Sequence, residues 1–204
     1  MEKVCIFAAI CLYLAPFSSA LPNGAPTSAC ESMMPMHRGV QPQAGPAPFS
    51  LKVEMSDSSS GRVVSVQVLG PPYGGLLMEA RNLPDTTAIG SWINPPPNTK
   101  NLMCSQNEKG AITHANTNLK TNATTYTWVP PEASCPKAVT FVSTVAINHN
   151  EYWLDIKSAP LPIESTTLCK SVKDGTSTIK KTTWTSVILL LLAVQLFLLL
   201  GCTY

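Results

Sequence analysis

The sequence is poor in the side chains from which most enzymes build an active site. Its 204 residues include only three histidines, His37, His114 and His149, and none stands at ligand spacing from a carboxylate or a thiol. It contains no CxxC, HxxxH, HExxH or GxSxG pattern and no glycine-rich phosphate-binding loop. These absences argue against the common zinc enzymes, hydrolases and nucleotide-binding enzymes. We therefore predict a protein without catalytic residues, metal or cofactor, whose histidines are structural or surface residues.

The N-terminal end has the features of a secretory signal peptide. Lys3 supplies a positive charge, residues 4–14 form an apolar stretch, and Ser18, Ser19 and Ala20 are small residues of the kind found at a cleavage site. We predict that residues 1–20 are a signal peptide and that the rest of the chain enters the secretory pathway.

The C-terminal end lacks the length and the basic flank of an ordinary membrane span. The apolar run 187–200 would extend ~21 Å as a helix, short of a hydrocarbon core of ~30 Å, and no Lys or Arg follows it. A polar spacer, residues 171–186, precedes the tail 187–204 and includes the small-residue cluster at Asp174 and Gly175. This pattern predicts a glycolipid (GPI) anchor attached near Asp174 or Gly175; a short type I transmembrane anchor is the alternative. Either places the protein at the outer face of the plasma membrane, with release from the cell also open.

The chain also lacks an excess of charge of either sign. It has 14 basic and 12 acidic residues, and removal of Lys3, Lys180, Lys181 and Glu2 with the two ends leaves 11 of each. Proteins that bind nucleic acid present a basic surface to the phosphates. The balance therefore excludes nucleic acid as an expected partner.

Four of the seven cysteines lie between the two ends, namely Cys30, Cys104, Cys135 and Cys169. An even number in an oxidising compartment predicts two disulfides. Spacing alone leaves all three connectivities open.

The central part shows no convincing amphipathic helix and instead predicts short β-strands. Apolar and polar side chains alternate from Phe49 to Met55 and over residues 62–69, with turn-forming residues 57–61 between them. Further strands are predicted over residues 76–81, 89–93, 124–129, 138–147 and 152–156. Turns rich in Gly and Pro separate them, which is typical of an antiparallel β-sandwich. Residues 21–48 show no hydrophobic periodicity of a strand or a helix and are predicted to form an extended, loop-like segment.

Three single features need an explanation within such a sandwich. Arg81 stands in an apolar strand, where we expect a carboxylate partner, Glu79, Glu151 or Asp155. The sequon at Asn122 predicts N-glycosylation. Tyr73 and the loops 71–75 and 93–101 either form a recognition surface or serve only as turns.

A series of short motifs follows in a fixed order along the central part. They are Cys30 with Met34, Pro35 and His37; Gly75, Leu76, Leu77, Ala80 and Arg81; Gly90, Leu102 and Cys104; Ala111, Thr113 and His114; Tyr126, Thr127, Trp128, Pro130 and Pro131; Val139, Thr140, Phe141, Thr144 and Val145; Tyr152, Trp153, Ile156 and Ser158. In order and spacing this set resembles the Reeler domain, the N-terminal module of reelin and F-spondin, over residues 21–170. Leu76 departs from the family, which usually has an aromatic residue there.

The resemblance implies an all-β, immunoglobulin-like antiparallel sandwich with disulfides Cys30–Cys104 and Cys135–Cys169. Similar domains occur alone in secreted insect and fish defence proteins, and at the front of ferric-chelate reductases and matrix proteins. The leading hypothesis is a non-enzymatic, membrane-anchored protein of innate immunity that binds microbial surface polysaccharide or lipopolysaccharide, or an extracellular protein. A cell-adhesion or matrix module is the alternative. A relative of the reductases without their catalytic membrane domain is more remote, because the tail has no histidine for haem.

Overall fold

Short β-strands account for almost all the regular structure of the described residues, which are 22–58, 61–131 and 136–163 of this computed structural model. The strands are β1 Ser50–Ser58, β2 Gly61–Leu69, β3 Gly75–Arg81, β4 Ser91–Ile93, β5 Thr99–Cys104, β6 Asn107–His114, β7 Thr125–Val129, β8 Ala138–Asn148, β9 Glu151–Lys157 and β10 Leu161–Pro162. A single 3₁₀ turn, Thr27–Ala29, is the only helical element within those ranges. None of the described residues belongs to a helix that could cross a membrane. The all-β fold class predicted from the sequence is therefore correct.

The chain separates into two compact units, Met1–Cys169 and Lys170–Tyr204, and every described residue belongs to the first. Several predictions from the sequence lie outside the described residues: the signal peptide, Cys135 and Cys169, the spacer with Asp174 and Gly175, and the apolar tail.

The first sheet has the strand order β1-β2-β7-β4, and all its pairs are antiparallel. β1 and β2 form the hairpin that the alternating pattern predicts. Val64, Val66 and Val68 of β2 are buried, as their spacing requires. The sequence predicts that Met55 belongs to the buried face of β1, but this residue is 44% exposed, so burial ends before the distal end of the strand.

The second sheet has the order β10-β8-β3-β6-β5, and β9 also pairs with β8. The two sheets pack through aromatic rings. Trp92 of β4 and Trp128 of β7 meet the ring of Phe141 from β8, with centroids 5.8 and 5.5 Å apart in edge-on geometry. The three rings are fully buried, so the main core lies between the sheets, as in a sandwich.

The β5–β6 hairpin is the main element that the sequence did not predict. Its two turn residues, Ser105 and Gln106, both have positive φ angles, 52° and 61°. Hairpin turns of that kind are usually marked by Asn-Gly or Asp-Gly. Without glycine in the turn, and with the polar start Thr99–Lys100–Asn101, neither half of the hairpin carries a strand signal.

The N-terminal segment, residues 22–49, contains no β-strand, in agreement with the loop-like entry predicted for residues 21–48, but it includes the 3₁₀ turn Thr27–Ala29. It is also packed against the sheet rather than merely tethered by Cys30. Ala29 and Met33 are buried against a second apolar cluster on the outer face of the second sheet, which includes Leu77, Val142 and Ala111. Thr144 Oγ1 donates a 2.6 Å hydrogen bond to the carbonyl of Met33. Because this segment covers the sheet, β3 is buried on both faces.

Substitution of Gly90 provides a test of the aromatic core. Gly90 has a φ of +66°, and a Cβ there would overlap the indole ring of Trp128. Gly39 is a matched control, since its φ is +73° but a Cβ would meet nothing within 4 Å. We expect Gly39→Ala to cost ~1 kcal/mol of unfolding free energy through its left-handed backbone, and Gly90→Ala to cost a further ~1–3 kcal/mol through overpacking. Urea denaturation of both variants measures the difference; equal losses would contradict the packing of Trp128.

Candidate ligand-binding cavity

An apolar cavity of about 320 Å³ lies where the N-terminal segment crosses the ends of β3 and β8. Its apolar walls come from the N-terminal segment, for example Met33 and Met36, and from the second sheet, for example Leu76 and Ile147. The cavity reaches the surface, because Met36 is 50% exposed. It therefore lies between two parts of the chain that are distant in sequence.

Small residues of the second sheet leave the room for this cavity. Gly75 of β3 pairs directly with Ala146 of β8, and a Cβ on Gly75 would come within 3.0 Å of the Ala146 Cβ. Gly74 precedes them and also lines the space. Larger side chains at these positions would fill the floor of the cavity.

Buried Lys120 holds the backbone behind the cavity in place. Its Nζ donates hydrogen bonds to three carbonyl oxygens, those of Gly74 at 2.8 Å, Asn116 at 3.0 Å and Asn118 at 2.8 Å. Burial lowers the pKa of Lys120 to about 8. The sequence offered no sign of this role, since the lysine stands in an irregular polar stretch.

All three histidines of the chain line this one cavity. His37 comes from the N-terminal segment, His114 ends β6, and His149 lies in the turn between β8 and β9. The rings of His37 and His149 stack with centroids 4.4 Å apart and an interplanar angle of 20°. The sequence places no carboxylate or thiol at ligand spacing from any of them and gives no sign that they meet; the fold brings the three together.

The imidazole environment favours the neutral ring at His37. Burial lowers the pKa of His37, and the nearby imidazole of His149 lowers it further, whereas a hydrogen bond with the backbone of His149 acts in the opposite direction. The Nδ1 atom of His37 is buried and has no hydrogen-bond partner among the described residues. His149 Nδ1 lies 2.8 Å from Asn150 Oδ1, and His114 Nδ1 lies 3.2 Å from the amide nitrogen of Leu76.

The histidines are arranged unfavourably for a shared metal ion. Imidazole lone pairs lie in the ring plane, and the planes of His37 and His149 are nearly parallel. The one group of three metal-ligating side chains found among the described residues is instead Cys30, Cys104 and Glu79. Both sulfur atoms of that group are joined in a disulfide, so they do not act as thiolate ligands.

A buried ion pair lies beside that disulfide. Arg81 binds Glu79 with an Nη2–Oε2 distance of 2.8 Å and an Nε–Oε2 distance of 2.9 Å, which confirms Glu79 among the three expected partners. Arg81 also donates to the carbonyls of Cys30 and Glu31. Burial raises the pKa of Glu79 to about 7, although the guanidinium acts in the opposite direction. The pair therefore fastens the N-terminal segment to β3.

The remaining predicted positions fall into three groups. The disulfide Cys30–Cys104 is present, as the resemblance implies. Asn122 is exposed in the turn before β7, and its glycosylation stays a prediction. Tyr73 is fully buried and shares a 2.7 Å hydrogen bond with the Tyr126 hydroxyl, so the interpretation of Tyr73 as a recognition residue is wrong. Burial raises the pKa of Tyr73 to about 12.

Together these features define a disulfide-tied, two-sheet β-sandwich domain with an apolar cavity under its N-terminal segment. A family model described as "Reeler domain" matches residues 28–168. The chain belongs to the Reeler domain family.

Two similar proteins differ greatly in how much of their length this chain matches. The chain is 32% identical over 152 residues to "Putative defense protein 3" of Antheraea mylitta, covering 72% of this chain and 90% of that protein. It is also 32% identical over 152 residues to "Putative ferric-chelate reductase 1 homolog" of Drosophila melanogaster, but covers only 23% of that protein. The crystal structure of the human F-spondin reeler domain aligns with a TM-score of 0.41 at 15% identity, covering 61% of this chain and 94% of that one.

Proposed function

We propose that this chain is a non-enzymatic Reeler-domain protein of innate defence. It acts outside the cell, is held at the outer face of the plasma membrane by its C-terminal tail, and binds microbial surface material. The defence-named relative supports this proposal because it is matched over 90% of its length. The reductase-named relative supports it less, because the matched part is 23% of that protein.

The observation that carries the proposal is the apolar cavity beside the three histidines. Ligand pockets are typically concave, largely apolar and furnished with a few polar groups. The cavity has these properties: apolar side chains dominate its walls, and imidazoles supply three of the six hydrogen-bonding side chains among its described lining residues. Catalysis would need a nucleophile or a general base held in place by a partner. Thr144, a hydroxyl side chain of the lining, donates its hydrogen bond to the carbonyl of Met33 and not to an imidazole.

Binding by cells that express the full chain tests this function. We expect such cells to retain labelled lipopolysaccharide, glucan or whole bacteria above the level of mock-transfected cells. Treatment with a phosphatidylinositol-specific phospholipase is expected to release the chain and the bound material together, because the anchor is a glycolipid. Absence of binding to all three materials would contradict the defence function and favour the adhesion alternative. Retention after phospholipase would favour a transmembrane anchor.

A further inference from the structure

The volume and walls of the cavity fit a single apolar chain. At about 320 Å³ the cavity stands at the small end of the ~300–1,000 Å³ typical of ligand pockets. Met33 and Met36, two of the lining residues, have flexible, polarisable side chains that adapt to the shape of an apolar ligand. An extended sugar chain, which presents hydroxyl groups on every side, would leave many of them without hydrogen bonds against such walls.

The charges around the cavity favour an anionic head group on that chain. Among the described residues, no Asp, Glu, Lys or Arg lines the space, and the three imidazoles are the ionisable groups of that part of the lining. A carboxylate would therefore meet no like charge. It would instead meet imidazole rings, each of which can donate an N–H group even when neutral, and the charge of the carboxylate acceptor strengthens such a hydrogen bond.

His37 provides an independent sign of a missing polar partner. A buried polar atom without a hydrogen bond is uncommon and destabilising, and often marks the place of a water or a ligand. Within the described part of the chain, the Nδ1 atom of His37 is such an atom, and its ring stacks on His149 at the cavity. An oxygen of an anionic head group would supply the partner.

We propose that this cavity binds one acyl chain, with the anionic head group held by His37 and His149. The proposal deepens the proposed function, since it names the part of an acylated microbial molecule that enters the domain. The acyl chain packs against Met33, Leu76 and Ile147 above the small residues of the sheet. The same chemistry is presented by a free fatty acid and by the acylated part of lipopolysaccharide.

Photocrosslinking on cells that express the full chain tests this site without detergent. The probe is dodecanoic acid that carries a diazirine and an alkyne. We expect the adducts, mapped by mass spectrometry, to fall on the peptides that contain Met33–His37 and Ile147–His149. Competition by unlabelled dodecanoic acid and by intact lipopolysaccharide, but not by polysaccharide stripped of its acyl chains, would show that the acyl part is recognised in both sources.

Three variants test separately how the cavity binds the acyl chain and how it binds the anionic head group. Ala146→Leu fills the floor of the cavity and should reduce adducts at least about tenfold, whereas Met103→Leu, at an exposed position outside the cavity, should not change them. The double variant His37→Gln/His149→Gln should weaken competition by dodecanoic acid about tenfold, the loss of a charge-assisted hydrogen bond. Competition by dodecanol, which has no anionic head, should be unchanged.

The outcomes distinguish this inference from the proposed function. Adducts outside the cavity, or adducts unaffected by Ala146→Leu in surface-expressed chain, would overturn the acyl site. If the same cells still bind bacteria, the defence function stands without it. Adducts in the cavity of cells that bind no microbial material would support the acyl site and contradict the defence function.

Discussion

Replacement of Arg81 by methionine is expected to lower the unfolding free energy by about 3–5 kcal/mol at pH 8, the range for breaking one side of a buried ion pair. Glu79 is fully buried, and the Arg81 guanidinium lies 2.8 Å from its carboxylate. Methionine has a similar volume but leaves the carboxylate without a counter-charge. The variant also loses the hydrogen bonds from Arg81 to the carbonyls of Cys30 and Glu31.

The loss of unfolding free energy in the Arg81→Met variant should be smaller at pH 5 than at pH 8. Burial already raises the pKa of Glu79 to about 7, well above the ordinary 4.5 of an unfolded chain, and removal of Arg81 raises it further. Between the pKa of Glu79 in the unfolded chain and its higher pKa in the folded chain, the folded state binds one more proton than the unfolded state. The free energy of unfolding therefore falls as the pH rises through this interval. At pH 5 the buried carboxyl is protonated and neutral, and the variant avoids burying a charge.

Urea denaturation at the two pH values measures this effect, with the double variant Glu79→Gln/Arg81→Met as the control. The glutamine side chain carries no charge at either pH, so the double variant should lose less stability at pH 8 and show little extra dependence on pH. The stability of the double variant should not reach that of the wild type, because the carbonyls of Cys30 and Glu31 still lack the hydrogen-bond donor that Arg81 provides. A loss in Arg81→Met that is the same at pH 5 and pH 8 would show that the charge of Glu79 is not its cause.

Removal of the Cys30–Cys104 disulfide is expected to cost about 4 kcal/mol. The two cysteines are 74 residues apart, and in the chain-entropy model a loop of that length stabilises the folded state by roughly this amount. The double variant Cys30→Ser/Cys104→Ser also releases the segment that carries Ala29 and Met33 over the second sheet. Because that segment forms one wall of the cavity, crosslinking by the acyl probe should fall as well.

The denaturation midpoint, measured with and without a reductant, checks this expectation. The reductant should destabilise the wild-type chain. Any further effect of reductant on the double variant would report the predicted pair Cys135–Cys169, since the other bond is already absent. A double variant as stable as the wild type would show that packing alone holds the N-terminal segment.

Strand prediction succeeded where one side of a strand faces the core and failed where local signals are missing. Val64, Val66 and Val68 alternate with polar residues, and they are buried as expected. The β5–β6 hairpin lacks both alternation and a glycine turn, and its positive φ angles at Ser105 and Gln106 are imposed by the pairing of the two strands. Tertiary context overrides local preference at such positions.

The sequence shows which residue types are available for the candidate site, but not that they lie together. The sequence shows three histidines and the methionines near His37, but nothing local places His114 and His149 beside them. Arg81 was different, because an unpaired charge in an apolar strand requires a carboxylate nearby. That requirement left Glu79, Glu151 and Asp155 as candidates, and the structure selects Glu79, two residues away on the same strand.

The sequence by itself determined the all-β class, most of the strands and the need for a partner at Arg81, because these follow from alternation, turn residues and the cost of burying charge. It also carries the family resemblance that the match to residues 28–168 confirms. Only the tertiary structure decided that Ala29 and Met33 cover the outer face of the second sheet, that Tyr73 is buried, and that three distant histidines line one cavity. The physical reason is that a cavity between an extended segment and a sheet depends on contacts between residues far apart in the chain, and periodicity records only which residues face a core.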